Sequence, residues 1–253
     1  MKLVDLHCHI LPCMDDGAKD IDSSLELLRA QAEQGVSEIV FTPHFEIRRE
    51  TVDAFVLRRE KAYAKLMNTG EPERLNICCK LGAEVYYSSK LADVDLKPLC
   101  IADTPYLLIE FPMSQCPLGI DETLYHIQQN GYLPIIAHPE RYTYVRKDVK
   151  WLYDLVYSGN LVQINAEAFL QDTKTRRFVS KLLQNNLAHF ISTDTHSISK
   201  RPPRLEAAIR MVTKECGEAL ALRLSQDASN IFNGKQLDMY EPEMLQKFLW
   251  TWK

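Results

Sequence analysis

Short apolar runs recur along this chain, and each is followed at once, or within a few residues, by a polar residue that could bind a ligand. β-Branched residues dominate the runs, which is typical of buried β-strands. Six runs lead to His, Asp or Glu, and one leads to Asn165. We therefore predict seven strands, at residues 3–6, 38–42, 77–81, 106–109, 134–137, 161–164 and 190–193.

Segments with helical spacing separate these runs. The first covers residues 21–32, follows Asp20 as a predicted N-cap and ends before Gly35. The others cover residues 52–67, 123–130, 149–157, 175–185 and 205–215. Alternating strands and helices imply right-handed βαβ units and a parallel sheet. Seven units favour a closed or nearly closed α/β barrel, while the alternation alone leaves a doubly wound sheet open.

The strand ends carry residue types that bind metal ions. His7 and His9 point to one face of the first strand and Cys8 to the other, because side chains alternate along a strand. Taken singly, each candidate could be a solvated strand end, and Asp15-Asp16-Gly17 reads as a turn. Together, five of the seven histidines and several carboxylates gather at the rim where β/α barrels carry their sites. His126 and His189 lie outside this pattern, and we predict structural roles for them.

Mixed imidazole and carboxylate ligands suit Mn²⁺, Fe²⁺ or Zn²⁺. The candidates are too many for one ion, so we predict two or three ions with a bridging carboxylate. Such clusters activate water and hold the oxygens of a displacement, which indicates a hydrolase with phosphate esters as the first candidate substrates.

Composition limits the classes of protein to which this chain can belong. The net charge of −4 provides no electrostatic footprint for nucleic acid. No apolar stretch is long enough for membrane insertion, and the chain enters its first strand at once, so we expect no signal peptide. Seven cysteines without a Cys-x-x-Cys pair indicate reduced thiols, and we predict a cytoplasmic protein. No cysteine is followed by five residues and an arginine, which excludes a thiolate-phosphatase loop; Cys216 and Arg223 miss that spacing by one residue.

Five motifs carry a family resemblance. They are residues 6–18 (LHCHILPCMDDGA), 42–44 (TPH), 82–84 (GAE), 137–142 (AHPERY) and 192–196 (STDTH). This set resembles the polymerase and histidinol phosphatase (PHP) superfamily over roughly residues 1–233. More narrowly, it resembles the bacterial PHP-type protein-tyrosine phosphatases of capsular and exopolysaccharide operons.

The resemblance implies a distorted (β/α)7 barrel, with residues 1–253 as one domain and three metal ions, usually manganese. One ion would be held by His7, His9, Glu84 and Asp194. Glu84 would bridge to a second ion, completed by Glu110 and His138. Asp16, His44 and His196 would hold the third.

The resemblance also implies roles around the metals. Arg141 and Arg201 would grip the phosphoryl group, with Arg204 as a rival to Arg201. Asp194 or Glu110 would protonate the leaving oxygen if an acid is needed. Two positions depart from the family pattern: Cys13 stands where many relatives carry glycine, and Thr195 where alanine is common.

The function implied is that of a phosphoric monoester hydrolase, in which a metal-activated hydroxide attacks phosphotyrosine. The expected substrate is an autophosphorylated bacterial tyrosine kinase that regulates capsule or exopolysaccharide synthesis. Two alternatives stay open: a small-molecule phosphatase such as histidinol phosphatase, and a non-catalytic, metal-stabilised PHP module. The aromatic tail, residues 236–253, is predicted to pack on the barrel, with a second subunit or a kinase as other contacts.

Overall fold

The computed structural model describes residues 2–245 as alternating strands and helices. The strands are β1 (Leu3–Cys8), β2 (Val36–Phe41), β3 (His44–Phe45), β4 (Cys78–Leu81), β5 (Glu84–Tyr86), β6 (Tyr106–Glu110), β7 (Leu133–Ile136), β8 (Leu161–Asn165) and β9 (Phe190–Ser192). The helices are α1 (Ile21–Glu33), α2 (Val52–Met67), α3 (Glu71–Arg74), α4 (Ile120–Gln129), α5 (Thr143–Lys147), α6 (Lys150–Tyr157), α7 (Thr173–Gln184), α8 (Leu205–Cys216) and α9 (Glu218–Phe232).

Every strand pair among these residues is parallel. The strands form two sheets, β1-β2-β4 and β3-β5-β6-β7-β8-β9. Backbone hydrogen bonds join β9 back to β1, because the N–H of Asp194 donates to the carbonyl of His7 (2.8 Å) and that of His9 to Thr195 (2.9 Å). The sheet therefore curls into a distorted parallel barrel, and the predicted (β/α)7 architecture is confirmed.

Two of the seven predicted strands are each followed by a short additional strand. Thr42 and Pro43 separate β2 from β3, and Gly82 and Ala83 separate β4 from β5. Proline has no N–H to donate, so it does not continue a strand ladder. His44 and Glu84 were expected just beyond strand ends; instead, each begins a short new strand. In register these two strands face each other, with His44 opposite Glu84.

The barrel interior is apolar at its amino-terminal end. Helix α9 closes that end, and its Ala228, Ile231 and Phe232 pack among buried strand residues such as Leu6 and Leu108. The helix was not predicted, because it follows the last strand and helix α8, and so lies outside the strand–helix alternation. Burial at this end leaves the opposite, carboxyl-terminal rim for polar side chains.

The tail predicted to pack on the barrel is described up to residue 245. Leu237 is buried, and Asn186 Nδ2 donates to the carbonyl of Glu241 (3.0 Å). The Arg223 guanidinium lies 4.5 Å from the ring centre of Tyr240. Residues 246–253, with Phe248, Leu249, Trp250 and Trp252, lie outside the described residues. Packing of that segment, and the single-domain assignment of residues 1–253, stay predictions.

Within residues 2–245, the helices are all too short or too polar to cross a bilayer.

His189 has the structural role expected of it. Its backbone N–H donates to the carbonyl of Val162 (2.9 Å), and its Nδ1 accepts from the N–H of Val162 (3.0 Å), which joins β9 to β8. Burial, together with the charge of Arg223, lowers the pKa of His189 to about 4. The imidazole is thus neutral in the folded protein.

We predict that His189 makes the fold sensitive to acid. Between pH 6.5 and pH 4 the unfolded chain protonates this histidine and the folded chain does not, so the free energy of unfolding falls as the pH falls. His189→Asn keeps an acceptor for Val162 and should reduce the loss between pH 7 and pH 5 by about 2 kcal/mol in urea unfolding. His126→Asn, on the exposed face of α4, is the control. Equal pH dependence in wild type and His189→Asn would contradict this role.

Candidate metal centre

All nine predicted metal ligands lie together at the carboxyl-terminal rim of the barrel. Their ligand atoms form three groups within which all atoms lie inside 4.8 Å of one another. The groups are His7, His9, Glu84 and Asp194; then His9, Asp16, His44 and His196; then His44, Glu84 and Glu110. His138 completes the set, because its Nε2 lies 2.8 Å from Glu84 Oε1 and 3.7 Å from Glu110 Oε1.

Glu84 lies at the centre of this cluster and is fully buried. Its Oε2 is 3.2 Å from Nε2 of both His7 and His9, and 3.0 Å from Nδ1 of His44. One carboxylate therefore touches side chains from all three groups. This is the geometry of a bridging ligand.

Several buried atoms at the centre of the cluster lie close to other candidate ligands but make no well-oriented hydrogen bond. They are Oε2 of Glu84, Oδ1 of Asp194 and Nε2 of His196. Unsatisfied buried polar atoms are costly, and in a native site each calls for an explanation. Bound cations would satisfy all three, so the donor set and its geometry fit a metal cluster.

Three of the imidazoles are held neutral by their surroundings. Burial lowers the pKa of His44 and His138, and burial with the neighbouring His9 lowers that of His196 to about 3. Neutral imidazole is the form that binds metal ions. These three histidines are thus in their ligand form near neutral pH.

Glu110 is the carboxylate of the cluster that its neighbours compensate least. Burial and the charge of Glu84 raise the pKa of Glu110 to about 8, whereas contacts with histidines outweigh burial and hold the pKa of Glu84 and that of Asp194 well below their usual range. In the metal-free chain, Glu110 therefore holds a proton at neutral pH, although His138 and His44 lie 3.7 Å and 3.9 Å from its carboxylate oxygens. A cation would take the place of that proton, since metal binding releases protons from its ligands.

Two ligands follow a strand end with unusual backbone angles. His138 has a φ of 32° and Asp194 a φ of 52°, both in the left-handed region that non-glycine residues rarely adopt. Such conformations concentrate at functional sites, where surrounding contacts hold them in place. Here they turn each side chain into the cluster directly after β7 and β9.

Asp15 is a supporting residue that the sequence analysis interpreted only as part of a turn. Its Oδ2 accepts from Nδ1 of His9 (2.7 Å) and from the N–H of His44 (3.0 Å), while its Oδ1 accepts from the N–H of Gly17 (2.9 Å). A carboxylate on the outer nitrogen of a histidine orients the ring toward the metal. Gly17 is required here, because a Cβ would lie 2.1 Å from the carbonyl oxygen of His9.

The loop around Cys13 holds this non-glycine residue in a left-handed backbone conformation. Cys13 adopts a φ of 58°, and its N–H donates to the carbonyl of Ala18 (2.9 Å). The loop still brings Asp16 Oδ1 to 3.5 Å from His44 Nε2 and 3.3 Å from His196 Nε2. The substitution therefore leaves Asp16 in position.

The two predicted phosphate-binding arginines both contact Asp194. Arg141 Nη1 lies 3.2 Å from Asp194 Oδ2, and Arg201 Nη2 contacts the same oxygen. Arg204, the rival of Arg201, points away, with its Nε 3.7 Å from Glu167 Oε2.

Thr195 lies between two candidate ligands and anchors the turn that carries Arg201. Its hydroxyl donates to the backbone carbonyl of Arg201 (2.7 Å). This contact gives a physical role to the second departure from the family pattern.

The candidate metal groups contain no cysteine among the described residues. Burial raises the pKa of Cys8, Cys79 and Cys100, which keeps these thiols protonated and unreactive.

Comparisons with known proteins agree with this site. A family model described as capsular polysaccharide synthesis, CpsB/CapC, matches residues 3–233. The tyrosine-protein phosphatase YwqE of Bacillus subtilis is 30% identical over 249 residues, which covers 97% of both chains. CapC of Staphylococcus aureus is 37% identical over 207 residues, or 79% of both chains.

The solved structures agree with this match. A crystal structure from a study of YwqE of Bacillus subtilis and CpsB of Streptococcus pneumoniae, described there as metal-dependent tyrosine phosphatases, superposes with a TM-score of 0.89. It shares 30% sequence identity, and the match covers 97% of this chain and 100% of the other. The chain belongs to the CpsB/CapC family of capsular polysaccharide synthesis proteins.

Proposed function

We propose that this protein is a metal-dependent protein-tyrosine phosphatase, and so a phosphoric monoester hydrolase. The observation that carries the proposal is the cluster of nine imidazole and carboxylate side chains with two arginines at its edge. Relatives that match over nearly the whole chain are named tyrosine-protein phosphatases, which supports phosphotyrosine as the substrate class.

Two or three ions, manganese in the first place and Fe²⁺ or Zn²⁺ otherwise, would occupy the cluster. We assign His7, His9, Glu84 and Asp194 to one ion, and Glu84, Glu110 and His138 to a second. Asp16, His44 and His196 are assigned to a third. When bound, such ions activate water for attack and neutralise charge on the phosphoryl oxygens. The proximity of His44 to Glu84 and of His9 to His196 indicates that neighbouring ions would share one compact cluster.

Arg141 and Arg201 are assigned to the phosphoryl group. In the chain itself they share one oxygen of Asp194, and both remain partly exposed at the rim. A phosphoryl dianion offers each guanidinium two oxygens and more charge than this shared contact does. Asp194 would then keep its other oxygen on the metal side. Of the two acids predicted for the leaving oxygen, Asp194 and Glu110, Glu110 is the better candidate, because burial raises its pKa while His7 and its neighbours hold the pKa of Asp194 well below its usual range.

The substrate we propose is the phosphorylated tail of a bacterial tyrosine kinase in the cytoplasm, so that dephosphorylation tunes capsule or exopolysaccharide synthesis. Membership of a capsular polysaccharide synthesis family supports this setting. Self-association of the chain stays a prediction. Histidinol phosphate is the second candidate substrate, because the same metal cluster would hydrolyse it. A non-catalytic module is disfavoured, since all nine candidate ligands are in place.

The test is phosphate release by protein stripped of metal with a chelator, before and after Mn²⁺ is added. We expect activity to depend on the metal and to favour a phosphotyrosine peptide over a phosphoserine peptide and histidinol phosphate. Glu84→Gln should lower kcat by about 100-fold or more, because it weakens the bridging ligand while keeping the side-chain volume. Preference for histidinol phosphate would favour the metabolic alternative, and absence of turnover with any metal would favour the non-catalytic one.

A second prediction separates Arg201 from Arg204. Hydrogen bonds to a charged group are worth about 1.5–3 kcal/mol, so Arg201→Ala should lower kcat/KM by about 10- to 100-fold. Arg204→Ala should change it by no more than about 2-fold, since Arg204 points to Glu167 and lies outside the cluster. Steady-state kinetics on one phosphotyrosine peptide measures both variants. A larger loss with Arg204→Ala would reverse the assignment.

A further inference from the structure

Strand β8 differs from the other strand lines of the barrel, because it supplies none of the nine candidate ligands. Its carboxyl-terminal half instead carries two amides, Gln163 and Asn165, which lie two residues apart and so face the same side. Both side chains are buried beneath the metal cluster. The sequence analysis singled out Asn165 as the strand end without an ionisable group, and the proposed function gives it no part.

These two amides link two metal ligands through a continuous chain of hydrogen bonds. Gln163 Oε1 lies 3.1 Å from Nδ1 of His7 and accepts from the backbone N–H of His138 (3.2 Å). Gln163 Nε2 donates to Asn165 Oδ1 (2.8 Å), and Asn165 Nδ2 donates to Asp194 Oδ2 (2.7 Å). This series of hydrogen bonds connects His7 to Asp194, which belong to the same candidate metal group.

The groups at the two ends of this series determine the direction of every hydrogen bond in it. A backbone N–H can only donate, so the oxygen of Gln163 must face His138. An ionised carboxylate can only accept, so the nitrogen of Asn165 must face Asp194. With both amides oriented in this way, Gln163 presents an oxygen to His7, and His7 Nδ1 must carry the hydrogen. The unprotonated Nε2 of neutral His7 then faces Glu84 Oε2 at 3.2 Å.

We propose that Gln163 and Asn165 form an amide relay that positions two ligands of one metal ion. At one end the relay holds His7 with Nε2 free for the metal. At the other it holds Oδ2 of Asp194 and leaves Oδ1, which has no hydrogen-bond partner, turned toward the imidazoles. Gln163 and Asn165 are therefore positioning residues. The inference rests on the proposed function only in that this group of side chains binds a metal ion.

The relay also explains why amides stand here rather than the carboxylates that commonly orient metal-binding histidines. A carboxylate at position 163 would accept from His7 but would have no hydrogen to donate to Asn165. A carboxylate at position 165 would face Asp194 at hydrogen-bond distance with like charge. Glu84, Asp194 and Glu110 already bring three buried carboxylates to the cluster. A neutral group that both accepts and donates satisfies both ends without adding charge.

The test compares near-isosteric variants of the relay with a buried amide at the other end of the same strand. Gln163→Met and Asn165→Leu remove the hydrogen bonds and keep most of the volume. Asn160→Leu is the matched control: Asn160 is buried and donates to the carbonyl of Leu155 (2.8 Å) at the end of β8 far from the cluster. Thermal unfolding of each variant records the purely structural cost.

We expect Gln163→Met and Asn165→Leu to weaken the tightest Mn²⁺ site by about 10- to 100-fold in calorimetric titration of the full chain. Asn160→Leu should leave Mn²⁺ affinity within about 3-fold, whatever its melting temperature. Asn165→Asp keeps the shape and adds a like charge beside Asp194. It should therefore weaken Mn²⁺ binding by more than its loss of thermal stability explains. Wild-type Mn²⁺ affinity in both relay variants would overturn the proposal.

A second measurement needs neither metal nor substrate. In metal-free protein, at a pH high enough that the His7 imidazole is neutral, nitrogen chemical shifts report which nitrogen of His7 carries the hydrogen. We expect the Nδ1–H form in wild type and in Asn160→Leu, and a mixture of both forms in Gln163→Met. An unchanged Nδ1–H form in Gln163→Met would contradict the relay. A chain that binds Mn²⁺ without hydrolysing phosphotyrosine would contradict the proposed function and leave the relay standing.

Discussion

The contact on which this structure depends is that of one buried carboxylate with four imidazoles. Glu84 lies within 3.2 Å of nitrogen atoms of His7, His9, His44 and His138, which come from the ends of β1 and β7 and from the start of β3. A buried charge of this kind is tolerated only when it is paired. The convergence of the strand ends is thus what makes Glu84 stable, and Glu84 in turn holds the strand ends to one centre.

The irregularities of the barrel serve that convergence. An unbroken strand through Thr42 and Pro43 would carry His44 past the rim, and the same holds for Glu84 after Gly82. The two interruptions restart the chain as short strands whose first residues pair with each other. At β7 and β9 the change of direction is made instead by left-handed backbone angles at His138 and Asp194. The same backbone irregularities that distort the barrel therefore place the candidate ligands.

Much of this architecture follows from local pattern. The apolar runs predict the strand lines, and the His, Asp and Glu residues after them predict the ligands, because parallel strands end at one rim. The division into β2 and β3, and into β4 and β5, escaped prediction, since β-propensity continues through Thr42. Asp15 and Gln163 escaped because their function depends on which nitrogen of a distant histidine they face. Helix α9 escaped although Ala221, Leu224, Ala228 and Ile231 have helical spacing, because no strand directly precedes or follows it in the strand–helix alternation that guided the prediction.

The closing seam of the barrel has a consequence for the order of assembly. His7 and Asp194 meet where β9 returns to β1, so two members of one candidate metal group lie near opposite ends of the barrel sequence. Contacts of such long range form late, because the loop between them must first be closed. During synthesis, a chain that has not yet extended past β9 presents an incomplete site. If this group binds an ion as proposed, metal loading would distinguish finished barrels from nascent or truncated ones.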